Sequence, residues 1–146
     1  MVRPESNKVL ATDWSAFMNV CGNKYGYVII DMGSIGSSDI SDQLIKELVS
    51  SSYRSILVST IDLFEVNQLA MKLGRLGVDR SKLAWLVNMC KNTKMDDRIK
   101  KLMHPIPYFM MMFKPELYGM KLNFTNDNLL RDKFHLFLDE LVFPKR

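Results

Sequence analysis

Tyr27-Val28-Ile29-Ile30-Asp31 is an apolar run of strand length that ends in one carboxylate, and Met32-Gly33-Ser34-Ile35-Gly36 follows it. Four β-branched or aromatic residues in a row predict a strand over about 26–30, buried on both faces. The acid at its carboxyl end then falls where open α/β sheets bind ligands, and the glycines give a turn whose backbone a ligand can approach closely. A plainer alternative has Asp31 as a strand-end acid that caps the following turn.

Working outward, apolar runs of strand length alternate with segments of helical period, the pattern of βα units and a parallel sheet. Thr12 or Asp13 can cap a short helix through Trp14, Phe17 and Met18, which Gly22 is expected to stop. Leu44, Ile45, Leu48 and Val49 mark one face of a second helix. Ser55-Ile56-Leu57-Val58-Ser59 reads as a strand. Asp62 and Glu65 have capping-box spacing, and Val66, Leu69, Ala70, Leu73 and Leu76 recur at helical intervals as far as Gly77. Leu83-Ala84-Trp85-Leu86-Val87-Asn88 predicts a third strand. A helix capped by Thr93 should turn Met95, Ile99, Leu102 and Met103 inward, and Pro105-Ile106-Pro107-Tyr108-Phe109 reads as a short fourth strand. Thr125 or Asn126 opens a last helix striped by Leu129, Leu130, Phe134, Phe137, Leu138 and Leu141. The expected fold is α/β: three layers, a mostly parallel sheet of about four or five strands, and helices on both faces.

Length and composition bound the rest. The 146 residues, 47% of them hydrophobic, fit one α/β domain over 1–146, large enough to bury roughly two-thirds of its unfolded surface. Lys and Arg outnumber Asp and Glu by 20 to 16, too small an excess to signal nucleic acid. Cys21 and Cys90 lie far apart, and with two histidines there is no zinc-type ligand spacing. Neither a secretory leader nor a membrane span of about 18 apolar residues is recognisable, so a cytoplasmic chain in a reducing compartment is expected.

In order and spacing these motifs resemble the C-terminal half of the ParA/MinD-type (deviant Walker) P-loop ATPases. The matching residues are Lys24 to Asp31 for the strand with the Walker B acid, then Ile56 to Asp62, then Leu86-Val87-Asn88, then Ile106-Pro107-Tyr108, over about residues 12–143. The resemblance implies that Asp31 holds a Mg²⁺-bound water, that Gly33 and Gly36 form a switch loop near a γ-phosphate, and that Asn88 hydrogen-bonds an adenine edge. A triphosphate also needs a cradle of N–H groups and a lysine. The corresponding GxxxxGK[ST] loop does not occur in this sequence. The expectation is therefore a non-catalytic interaction or regulatory domain, or the C-terminal part of a longer ATPase-like protein. No cofactor is expected for the chain alone; the enzyme alternative is an ATPase active only if a missing P-loop half is supplied, which would then bind ATP and Mg²⁺. A homo-oligomer or a protein partner is expected in either case.

A receiver-type signalling domain is the other class weighed, with Asp31 as phosphoacceptor and Ser59 and Thr60 in the switch position. It lacks the early acidic pair and the well-placed lysine that receivers use. The cluster Lys91, Lys94, Arg98, Lys100 and Lys101 is interrupted by Asp96 and Asp97 and reads as a solvated helix face. Met110-Met111-Met112 reads as core strand or packed loop rather than an adaptable partner surface. His104, His135 and Cys21 lack companions for catalysis and read as structural.

Overall fold

The computed structural model describes residues 11–34, 41–91, 94–112 and 128–143. Its elements are helix α1 (Ala11–Lys24), helix α2 (Asp42–Ser51), strand β1 (Ser55–Ser59), helix α3 (Leu63–Leu76), strand β2 (Leu83–Cys90), helix α4 (Asp97–Met103), strand β3 (Tyr108–Met112) and helix α5 (Asn128–Phe137), which runs into a π-helical turn at Leu138–Val142. The three strands form one parallel sheet in the order β1-β2-β3. Ser55 pairs with Leu83 and Ser59 with Val87; on the other side Trp85 pairs with Tyr108 and Val87 with Met110. Among the described residues no helix is long and apolar enough to cross a membrane.

Side chains alternate across a strand, so the central β2 feeds two apolar clusters. Leu83, Trp85 and Val87 pack with Ile45 and Val49 of α2, Val66, Leu73 and Leu76 of α3, and Ile99 and Met103 of α4. Ala84 packs with Phe137, Leu141 and Val142, and Leu86 and Phe109 lie against the same cluster. The stripe Ile45, Leu48 and Val49 is buried as its spacing predicts, and Lys72 of α3 is ion-paired with Asp42 at the start of α2.

Helix α3 is the element in which local signals and tertiary packing agree best. Asp62 caps it by accepting from the Glu65 N–H at 2.9 Å, and Gly77 ends it at φ 61, a left-handed position that glycine adopts without a Cβ penalty. Helix α1, by contrast, runs through Gly22 to Lys24. Tyr25 N–H still reaches the Cys21 carbonyl at 2.9 Å. Glycine costs an exposed helix only about 1 kcal/mol, which is no stop signal without a left-handed turn after it. Helix α4 is capped by Asp96; Thr93 lies outside the described residues, as do Thr125 and Asn126.

The expected strand at 26–30 is the main correction. Residues 27–34 have no regular secondary structure, Tyr27 is 79% and Ile29 96% exposed, and the Tyr27 ring instead meets Phe143 edge-on at 5.7 Å. A strand exists only through a ladder partner, and among the described residues β1, at one edge of the sheet, pairs with β2 alone. Three strands are therefore described where four or five were expected. Both-face burial also fails at the edge: Leu57 is buried, but Val58 is 58% exposed and Ile56 is exposed beside it. The last strand begins at Tyr108 rather than Pro105, because Pro107 contributes its carbonyl, not an N–H, by accepting from Trp85 at 2.8 Å. That shift places Met110 and Met112 on the sheet and against the core. Phe134 of the last helix is half exposed while Phe137 and Leu141 are buried.

Leu57→Ala should destabilise the protein by about 2–5 kcal/mol, whereas Ile29→Ala should stay within about 0.5 kcal/mol. Urea melts of the two variants measure the contrast, and equal losses would show that 27–31 is buried after all.

Candidate functional site

The carboxyl ends of β1 and β2 are where a ligand would be sought in a sheet of this kind. At the end of β1 the polar groups close on one another. Ser59, 3% exposed, accepts a hydrogen bond from the Trp85 indole N–H at 2.7 Å and donates to the Thr60 carbonyl at 3.1 Å. Thr60 gives both its hydroxyl (2.6 Å) and its backbone N–H (3.0 Å) to the Glu65 carboxylate, and its Oγ1 accepts from the Asp62 N–H at 3.2 Å. Glu65 thus reaches past the cap residue to Thr60, a variant of the capping box expected from its spacing. The hydroxyls of Ser59 and Thr60, the switch pair of the receiver alternative, are both engaged in holding the β1–α3 turn.

Asn88 sits near the end of β2, where its Oδ1 accepts from the Met89 N–H at 2.8 Å. Met89 has φ 58, a left-handed conformation uncommon for a residue with a side chain. The ladder with β3 slips here, between Val87 and Cys90. Beyond the slip the Cys90 thiol turns inward and donates to the Val87 carbonyl at 3.3 Å, and burial raises its pKa. An inert structural cysteine has these properties.

Asp31 lies in the irregular stretch, exposed, with Oδ1 accepting from the Gly33 N–H at 2.9 Å; Gly33 has φ 63. This is an Asx turn, in which the aspartate side chain takes the place of a backbone carbonyl. The structure thus brings Asp31 and Gly33 together, leaves Asn88 in a separate turn of its own, and does not describe Gly36. Among the described residues no group of three His, Cys, Asp or Glu is arranged to hold a metal ion.

Sequence reasoning missed an open groove of about 780 Å³ between the start of α3 and α4. Leu63, Phe64 and Leu102 give it an apolar floor, with Asp62, Asn67, Arg98 and Lys101 around them. The available signal was Phe64, a large apolar residue off the α3 stripe. Two members of the basic cluster beside the groove are ion-paired locally. Arg98 donates to Asp96 from Nη2 at 2.6 Å and from Nε at 3.1 and 3.2 Å to the two carboxylate oxygens, and Lys100 pairs with Asp97 at 3.0 Å. The solvated-face reading suits these pairs better than a phosphate contact does. Arg98, through its guanidinium and then its backbone N–H, holds the Asp96 carboxyl at about 2, below its ordinary 3.8.

No protein-family model matches the chain, and no curated protein and no solved structure is significantly similar to it.

Ser59→Ala would leave the buried Trp85 N–H without an acceptor, at a cost of about 1–3 kcal/mol. Chemical denaturation should register that loss, and an unchanged midpoint would mean that the indole finds another partner. For Asp96 the folded-state pKa is depressed, so its contribution is complete above about pH 3.8 and disappears as the pH falls towards 2. Carboxyl NMR titration should show the Asp96 midpoint rising in Arg98→Ala, and an unmoved midpoint would sever the pair.

Proposed function

We infer that this chain is a non-catalytic, ParA/MinD-like interaction or regulatory domain, whether it acts by itself or as the C-terminal part of a longer ATPase-like protein. Support for the family comes from order: three of the four segments that carry the resemblance, Ile56 to Asp62, Leu86 to Asn88 and Ile106 to Tyr108, fall on or beside successive parallel strands, whereas the fourth, Lys24 to Asp31, runs from the end of α1 into the irregular stretch. A three-layer, P-loop-NTPase-like arrangement belongs to the same proposal, with Val66 and Met103 on one side of β2 and Phe137 and Leu141 on the other.

The observation that carries an interaction role is the apolar surface around β1. Ile56 and Val58 face outward from the strand, the exposed ring of Tyr53 stacks on Phe143 at 6.0 Å, and Tyr27 approaches the same Phe143. Large apolar side chains gathered on an exposed surface mark association sites. A homo-oligomer or protein partner is therefore the expected assembly. Asp31, Gly33, Gly36 and Asn88 remain the nucleotide-facing positions that the family would use, with Asp31 towards a Mg²⁺-bound water. In this chain the side chains of Asp31 and Asn88 serve their own turns. A single carboxylate without a lysine or an N–H cradle repels rather than holds a triphosphate.

Titration calorimetry with Mg-ATP should detect no tight binding, and no phosphate should be released on incubation. A dissociation constant in the low micromolar range that disappears in Asp31→Ala would overturn the non-catalytic reading.

A further inference from the structure

We propose that the edge of β1 that pairs with no other strand among the described residues is a self-association surface, on which a second copy of this chain adds its own β1 in antiparallel orientation. The proposal rests on the interaction role above and names its surface and occupant.

Edge strands present unpaired N–H and C=O groups, and proteins that remain monomeric guard them with lysine, proline, a bulge or an inward-pointing charge. Ser55-Ile56-Leu57-Val58-Ser59 carries none of these. It pairs regularly with β2 along its whole length, and its outward face carries exposed Ile56 and Val58.

The strand also reads the same in either direction: hydroxyl, β-branched, leucine, β-branched, hydroxyl. A two-fold axis through Leu57 would set Ser55 opposite Ser59 of the partner subunit, and Ile56 opposite Val58 of the partner subunit. Four β-branched side chains would then meet on one face at cross-strand distances of about 4.5–5.5 Å. A closed two-fold dimer requires a patch of this self-complementary kind, because each subunit presents the same surface to the other. The two sheets would join into one of six strands.

Size sets a further requirement. Stable interfaces bury about 1,200 Å² or more in total, which a five-residue strand pair does not reach. Tyr53 and the stacked Phe143 stand exposed just before β1, so a copy of this aromatic pair would flank each end of the paired strands.

Sedimentation velocity over a broad concentration series tests the proposal. The native chain should dimerise reversibly. Val58→Lys and Ile56→Glu, both at exposed positions, should each be monomeric with unchanged circular dichroism. In the antiparallel register the lysine of one variant faces the glutamate of the other, so an equimolar mixture should recover dimer that neither forms alone. Native chain that stays monomeric at high concentration would overturn the proposal, as would amide protection at 28–30 in a monomer, which would make Tyr27–Asp31 the occupant of the edge. Dimers that persist in both variants would place association elsewhere on the molecule; they would end this proposal and leave the interaction role standing. Tight Mg-ATP binding would instead strike at the functional reading and leave the dimer result untouched.

Discussion

The hydrogen bond from the Trp85 indole to Ser59 is the constraint on which the rest of the architecture depends. Among the described residues Trp85 is the largest fully buried side chain, and its one polar atom needs an acceptor inside the core. Ser59 supplies it at 2.7 Å across the β1–β2 ladder. Once Ser59 is held, Thr60 follows in a position to bind Glu65, Asp62 caps α3, and α3 lays Val66, Leu73 and Leu76 over the same tryptophan. A single satisfied N–H thus links sheet register, helix start and core packing. Ser59 is also the sole buried polar or charged residue among those described, so this part of the interior has little polar alternative.

What could be read from the sequence divides by the range of the interaction involved. Helix α3 was legible from end to end, since its cap, stripe and terminating glycine lie within one contiguous segment. The strands β1 and β2 were legible for the same reason. Tyr27–Asp31 has equal β propensity, but a strand requires a neighbour, and no local pattern reports whether one exists. Whether β1 would be central or at an edge was hidden in the same way, and the exposure of Ile56 and Val58 followed. Among the site residues, the Asp31–Gly33 turn is local and one of the two sequence readings described it. The Ser59–Trp85 pair is set by strand register, and the groove at Phe64 by the approach of α4 to α3; neither has a sequence signature.

Electrostatics in this protein are short-ranged and local. Asp96 serves as cap and as partner for Arg98, Asp97 takes Lys100 one turn later, and Asp79 accepts from both the hydroxyl and the N–H of Ser81, which lowers its pKa. Exposed pairs of this kind contribute little to stability. Their effect is to fix the Arg98 and Lys100 side chains against the start of α4.

The central place of β2 also bears on the order in which the chain assembles. Both of its ladders are closed by the next helix in sequence: α3 bridges β1 to β2, and α4 bridges β2 to β3. The two crossover units share one strand, so completing the first prepares the template for the second. Loop-closure entropy grows only slowly with length, and each closure here spans a single helix and its turns. The stretch from Ser55 to Met112 is therefore suited to act as a contiguous folding nucleus with few long-range closures, to which α2 and α5 dock from outside it.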